Sequence, residues 1–315
     1  MDIIFFGSDD FAVPSLEALV SAGYNICSVV TQPDREKGRG LHLKGTAVKL
    51  CAKKLNLKIF QPQDINSAAA IKALKALNPD LFVVIAYGRI LSKEVLAIPK
   101  TFAVNIHASL LPKYRGAAPI NWALIRGEKT CGVTAIKMTE KMDAGAVILQ
   151  EKSDIGALDT AASLSGKLSL SGAGVLIKTV KSIENNNYKL AAQNEKEVSF
   201  APKLKKEDGL IRWAQPAQEI HNLIRGCYNW PGAFTYYKGK LLKIFKADVC
   251  LSLEDQESKP TPGQIIKILK DDFAVSTAKG DLVIEELQIE GKRKMPAKEF
   301  ISGHKISLGE ILGKK

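Results

Sequence analysis

Asn105 and His107 stand two residues apart in the apolar run FAVNIH, so on a strand both side chains leave the same face. A carboxamide and an imidazole side by side are equipment for chemistry at a carbonyl. The amide is an uncharged donor that can meet an oxygen gaining negative charge in a tetrahedral transition state. An imidazole, with an unperturbed pKa of about 6.5, can take or give a proton near neutrality. A carboxylate that orients the ring or relays protons through water would complete the set. Asp143, in the turn-like KMDAG, is the candidate. No serine or cysteine nucleophile is needed when the attacking group belongs to the substrate. Each residue also has a plainer reading: a packed histidine, a satisfied strand amide, an aspartate that makes a turn. Type and spacing alone imply an α/β enzyme and leave its reaction open.

The elements that must hold these residues are read from periodicity. Apolar strand-like runs at 3–6, 26–31, 59–60, 81–86, 102–106, 133–138 and 147–151 alternate with helical patterns at 11–22, 48–57, 68–77 and 160–183. That alternation predicts a Rossmann-like, doubly wound α/β domain with a mostly parallel sheet. The fully apolar 81–86 belongs in a parallel-sheet interior. After the first strand the chain has Gly7-Ser8-Asp9-Asp10, neither a dinucleotide fingerprint nor a P-loop, so NAD and ATP are not supported. A polar, basic stretch at 185–207 reads as a linker between domains at 1–184 and 208–315. Beyond it a helix at 216–225 precedes short strands at 234–237, 241–247, 264–269, 273–277 and 282–288, which predicts a small β-barrel.

Composition sets further bounds. The chain has 315 residues, 46% of them hydrophobic and 25% charged, as in an ordinary globular protein. No apolar run approaches membrane-spanning length and no secretory signal opens the chain, so a cytoplasmic protein without membrane contact is expected. The five cysteines, Cys27, Cys51, Cys131, Cys227 and Cys250, are scattered, which disfavours disulfides and a metal site. The net charge of +12 points to a polyanionic partner. Residues 1–206 carry 28 Lys/Arg against 18 Asp/Glu, whereas 207–315 carry 17 against 15. The basic excess therefore belongs to the first domain and the linker. No interface signal is visible, and a monomer is expected.

Asn105-x-His107, followed by Ser109-Leu110-Leu111-Pro112-Lys113-Tyr114-Arg115-Gly116, resembles the signature of the folate-dependent formyltransferases. The resemblance implies a formyl group carried by 10-formyltetrahydrofolate and transferred to an amine without a metal. It assigns catalysis to Asn105, His107 and Asp143. It lines the folate site with Ser109, Leu110, Leu111 and Pro112, and with Ala86, Tyr87, Gly88, Ile90 and Leu91 after a buried strand. Around Asp143 the chain departs from the commoner Asp-Thr-Gly-Asp, having Ala144 and Ala146.

Two features resemble the branch of that family whose acceptor is methionyl initiator tRNA. One is the basic loop Gln32-Pro33-Asp34-Arg35-Glu36-Lys37-Gly38-Arg39-Gly40. The other is the pair of C-terminal segments containing Trp213 and Trp230, similar to those of an OB-type domain, with both rings expected in the core. RNA contacts are accordingly expected from Arg35, Lys37, Arg39, Lys44, Lys203, Lys205 and Lys206. The alternatives are a small amine such as an amino sugar nucleotide, hydrolysis of formyl-folate, or an RNA-binding protein with an inactive catalytic domain. If phosphate contacts supply the affinity, tRNA binding falls steeply with salt. A nitrocellulose-filter titration of methionyl initiator tRNA at rising salt checks this, and an affinity that ignores salt contradicts it.

Overall fold

The computed structural model describes residues 1–37, 42–250 and 260–313. They group into two compact units. One comprises Met1–Pro119, Thr130–Asp154 and Ser165–Pro202; the other comprises Ile120–Lys129, Ile155–Leu164 and Lys203–Lys315.

The first unit begins with β1 (Asp2–Gly7) and α1 (Val13–Ser21), whose Pro14 occupies the first turn, where its missing N–H breaks no helical bond. Next come β2 (Asn25–Val30), a hairpin of β3 (Arg35–Lys37) and β4 (His42–Lys44), α2 (Ala47–Lys54), β5 (Ile59–Phe60) and α3 (Ala68–Ala76). Then follow β6 (Leu81–Ile85), α4 (Lys93–Leu96), β7 (Phe102–His107), α5 (Pro119–Ile125), β8 (Thr130–Lys137), β9 (Val147–Asp154) and α6 (Ala161–Glu184), of which α5 from Ile120 onward and α6 up to Leu164 belong to the second unit. The hydroxyls of Thr46, Ser67 and Ser92 accept from amides at the starts of α2, α3 and α4, which satisfies donors that a helix leaves unpaired.

The sheet runs β5-β2-β1-β6-β7-β8-β9. It is parallel from β5 to β7, then antiparallel at β7–β8 and β8–β9. β1 and β6 are buried along nearly their whole length, as the apolar sequences IIFF and LFVVI require. Strand order reverses between β1 and β6, the switch point where open α/β sheets gather ligand groups beyond the carboxyl ends of their strands. The reversal of β8 has a further effect. Lys137 at its end pairs with Val104 near the start of β7, so the connection to β9 leaves from the wrong end of β7 to reach His107. That connection must fold back over the sheet face.

Residues 191–201 are stitched into this unit. Ala191 bridges Val147, Phe200 bridges Arg115, and the amide of Ala118 donates to the Ala201 carbonyl (3.1 Å).

The second unit contains α7 (Ala217–Gly226), β10 (Ala233–Tyr237), β11 (Lys240–Cys250), β12 (Ile265–Ile268), β13 (Phe273–Ser276), β14 (Asp281–Ile289), β15 (Met295–Pro296) and α8 (Ala297–His304). Its sheet is antiparallel throughout, in the order β10-β11-β14-β13-β12, with β15 on β14. Register shifts near Lys246 kink β11, the longest strand, whose first residues pair with β10 while most of its length pairs with β14. The earlier segments are tied in through α7. The Arg225 guanidinium donates to the carbonyls of Gly156 (3.3 Å) and Asp159 (3.1 Å), and the Asn121 amide donates to the Gly226 carbonyl (2.8 Å).

Trp213 is buried and its indole N–H donates to Thr235 (3.0 Å), as a core tryptophan needs. Trp230 corrects the expectation of two core rings, for it is 55% exposed. Asn229 at φ +70° and Gly232 at φ +80° make the connection from α7 to β10 so tight that Pro231 turns inward and the indole outward. Among the described residues no helix is long and apolar enough to cross a membrane.

The core of this unit closes on Phe300 of α8, fully buried with its ring centroid 5.4 Å from Tyr237 and 6.1 Å from Phe273. Phe300→Ala is expected to remove about 3–5 kcal/mol of stability through lost burial and the cavity left behind. Urea denaturation followed by tryptophan fluorescence measures it. A loss below about 1 kcal/mol would show that the unit does not depend on this ring.

Candidate active site

The paired strand residues do share a face, and a third group meets them there. The Asp143 carboxylate lies over β7 with Oδ1 3.6 Å from His107 Nδ1 and 3.4 Å from Asn105 Nδ2. Its other oxygen accepts the backbone amide of Gly116 at 2.9 Å. The side chains of His107 and Asp143 are only 8% and 12% exposed, so their charges interact through little water. Asp143 holds φ +51°, in the left-handed region that few residues other than glycine adopt.

His107 is fixed from its far side. Nε2 lies 2.9 Å from the Tyr114 carbonyl oxygen, which can only accept, so this nitrogen carries a proton. In a neutral ring the lone pair then sits on Nδ1, on the side of Asp143. The carboxylate is thus placed to stabilise positive charge arriving on the ring.

The segment after β7 is anchored by one hydroxyl. Thr134 of β8 donates to the Ser109 carbonyl (2.6 Å) and accepts from the Leu111 amide (3.2 Å) and from Gln150 Nε2 (2.9 Å). Ser109 and Leu111 are buried, while Leu110 and Pro112 are half-buried. The Ser109 hydroxyl donates to the Lys113 carbonyl (2.6 Å), closing the turn that carries Tyr114 and Gly116 back to the sheet.

Beyond β6, Val84 pairs with Asn105, and continuing that register sets Ala86 level with His107. Ala86 (φ +45°) and Gly88 (φ +78°) are exposed, and Ile90 is 69% exposed. Tyr87 and Leu91 turn inward instead, Tyr87 against Phe6 (5.6 Å, edge-on), and burial pushes its phenol up to about 12. The Tyr87 carbonyl accepts from Gln32 Nε2 (2.7 Å) and from the Ser8 hydroxyl (3.2 Å), which ties this loop to the ends of β1 and β2. A β-carbon on Gly88 would press on that Gln32 amide.

The basic residues fall into separate places. Arg35 and Lys44 are exposed partners across the β3–β4 hairpin, Lys37 lies in β3, and Leu43 beside them is 73% exposed. Arg39, with Gly38 and Gly40, lies outside the described residues. The hairpin root is pinned by Asp34, which receives Lys49 Nζ (2.6 Å) and Gln61 Nε2 (2.9 Å); these hydrogen bonds, the amide's first, hold its carboxyl below the usual range. Lys203, Lys205 and Lys206 are exposed in the second unit.

Sequence reasoning missed Gln193 and gave Arg115 no task. The Gln193 amide donates to the carbonyls of Asp143 (2.7 Å) and Gly145 (2.8 Å). Its oxygen accepts from Arg115 Nε (3.0 Å) and Nη2 (2.8 Å), and Arg115 also pairs with Glu195 (2.8 Å). A glutamine fifty residues beyond Asp143 in a polar stretch carries no signal that would single it out. Among the described residues no group of three or more His, Cys, Asp or Glu side chains is placed to hold a metal ion.

The sequence and fold have known counterparts. Residues 1–180 match the family described as Formyl transferase, and residues 203–305 match its C-terminal domain. A methionyl-tRNA formyltransferase of Alkaliphilus oremlandii is 45% identical over 99% of this chain and 100% of its own. One of Thermodesulfovibrio yellowstonii is 48% identical over 98% and 97%. Among solved structures, an N-formyltransferase from Helicobacter canadensis, crystallised with folinic acid and dTDP-3-aminofucose, superposes with a TM-score of 0.67 at 21% identity, covering 93% of this chain and 99% of that one. HypX from Aquifex aeolicus gives 0.65 at 18%, covering 96% of this chain, which spans 49% of HypX. The last two share the fold; the first two, matched end to end, show that the chain belongs to the formyl transferase family, alongside the methionyl-tRNA formyltransferases.

Proposed function

We propose that this chain transfers the formyl group of 10-formyltetrahydrofolate to the α-amino group of methionyl initiator tRNA. The observation that carries the reading is the meeting of Asn105, His107 and Asp143 on one sheet face, in a chain whose full-length relatives bear the name of that activity.

In this reading the amino nitrogen attacks the formyl carbon. The new C–N bond forms, the bond from that carbon to N10 of the folate breaks, the amine gives up one proton and N10 gains one. Asn105 Nδ2 donates to the formyl oxygen as it becomes an oxyanion. His107 takes the amine proton on Nδ1, the nitrogen that faces Asp143, since Nε2 is committed to Tyr114. Asp143 stabilises the ring while it is charged and forces its orientation. No protein nucleophile takes part.

The folate is assigned to the carboxyl ends of β6 and β7. Exposed Ile90 and the bare backbone at Ala86 and Gly88 form an apolar ledge suited to a flat pterin, with Leu110 and Pro112 on the neighbouring connection. Tyr87, Leu91, Ser109 and Leu111 are buried and in this reading bound the folate site from the protein side. The acceptor's phosphates fall to Arg35, Lys37 and Lys44 on the hairpin, to Arg39 in the sequence that follows Lys37, and to Lys203, Lys205 and Lys206, contacts that position the RNA without reading its sequence. The exposed Leu43 gives the hairpin an apolar surface for an unpaired base or the methionyl side chain.

Supplying labelled formyl-folate with methionyl initiator tRNA, uncharged tRNA and small amines, and following the label, tests the assignment. Label on the methionyl-tRNA alone supports it; transfer only to the small amines or to water overturns it. His107→Ala is expected to lower kcat by about 10²–10⁴-fold while tRNA affinity stays within about twofold. A mild loss would remove the ring from the proton transfer.

Gly145→Ala isolates the carboxylate. A β-carbon there would overlap the Lys137 carbonyl oxygen, so the 138–145 loop must shift and carry Asp143 with it. A displacement of about 1 Å is expected to lower kcat about 10²-fold in a chain that still folds, with the melting temperature lowered by a few degrees because the obstacle is main chain. Steady-state kinetics beside a thermal melt measure both, and unaltered kcat would mean that Asp143 need not stand where it does.

A further inference from the structure

We propose that Gln193, backed by Arg115, is a positioning residue for the transfer: it fixes the 138–145 loop so that the Asp143 carboxylate stands against His107. The inference rests on the functional reading above.

The loop has little to hold it by itself. The β8–β9 ladder ends where the Lys137 amide meets the Ala146 carbonyl (2.9 Å). The first residue is held from outside, the Met138 amide donating to the Ala103 carbonyl (2.7 Å), but among the described residues the bonds within the loop are long, from the Ala144 amide to the Lys141 carbonyl (3.3 Å) and from the Thr139 hydroxyl to the same oxygen (3.2 Å). Yet the loop must double back over β7 and hold Asp143 at a positive φ.

Gln193 supplies what is missing. Its two amide hydrogens go to carbonyls on either side of Ala144, at 2.7 and 2.8 Å, and its oxygen receives two N–H groups of Arg115. Every donor and both lone pairs of the side chain are thereby used. A glutamate at 193 would face the two carbonyls with oxygens, and a lysine could not accept from Arg115. The position therefore calls for a neutral amide.

Arg115 passes the restraint to the histidine side. Its guanidinium is buried, its amide donates to the Ser199 carbonyl (2.9 Å), and its carbonyl accepts from the Ala201 amide (2.8 Å). Its chain neighbours are Tyr114, whose carbonyl holds His107, and Gly116, whose amide holds Asp143. One side-chain pair thus locks both members of the reacting set. Glu195, 72% exposed, completes the neutralisation of Arg115, whose hydrogen bond keeps its carboxyl below the usual range.

The test combines kinetics with hydrogen exchange on the full chain. Gln193→Met keeps the length and loses all four bonds; Gln193→Glu keeps the acceptor and loses the donors. Both are expected to lower kcat about 10- to 100-fold with KM for formyl-folate and tRNA within about twofold. Made on top of Asp143→Ala, either change should slow the reaction by less than about twofold more, because residues that act through one another are not additive. The Gly116 amide, read by NMR, should exchange at least about tenfold faster in Gln193→Met with an unchanged melting temperature. Full multiplication with Asp143→Ala, or unchanged Gly116 exchange, overturns the proposal and leaves the functional reading standing. A wild-type chain that formylates no methionyl-tRNA overturns that reading and with it the kinetic role, while Gly116 exchange still decides whether Gln193 holds the loop.

Discussion

Two backbone groups in a three-residue stretch decide where the chemistry stands. The Tyr114 carbonyl engages one nitrogen of His107, and the Gly116 amide engages one oxygen of Asp143. Because both come from the same piece of main chain, the ring and the carboxylate cannot drift apart without distorting 114–116. The separation of 3.6 Å between Nδ1 and Oδ1 is therefore a property of the backbone, not a choice of two free rotamers. Much of the surroundings serves that stretch: Thr134 and Ser109 bring the chain round to it, and residues 191–201 pair with it from outside.

The fold gives reasons for this complexity. In an all-parallel sheet each connection returns to the carboxyl edge, and a carboxylate could be delivered there directly. Here β8 runs the other way and ends beside the start of β7. The Asp143 loop must retrace the length of the strand, which is why it needs outside anchorage and why Gly145, pressed on the Lys137 carbonyl, admits no side chain. A buried polar cluster of this kind is tolerable only when its groups find partners. Among the described residues the Tyr87 hydroxyl is one of four buried side-chain atoms without a partner, and none of the four belongs to Asn105, His107 or Asp143.

Much of this was legible in the residues. Runs of apolar β-branched residues marked the strands, the two-residue spacing put Asn105 and His107 on one face, and the doubly wound sheet with an antiparallel second domain follows from the pattern. What did not show has a common physical cause: it depends on contacts distant in sequence. The hydropathy of 130–137 gives no hint that β8 is antiparallel. The short α4 is held by its Ser92 cap and the buried Val95, and α8 by the buried Ala297 and Phe300, more than either is marked by a long amphipathic repeat. Trp230 is as apolar as Trp213 and only the turn at Asn229 sends it outward. Gln193 sits in a stretch whose polarity suggested connecting chain, because a polar residue that braces a loop and one that faces water look the same in a sequence.

The composition of the second unit bears on how the polypeptide is made. Segments 120–129 and 155–164 emerge from the ribosome long before the part of the unit that receives them, for Asn121, Gly156 and Asp159 hydrogen-bond to Arg225 and Gly226. During the intervening synthesis, apolar Ile125, which packs against the core of this unit, has no permanent home. The nascent chain thus passes through a window in which one half can mature while pieces belonging to the other stay exposed, a period suited to chaperone attention.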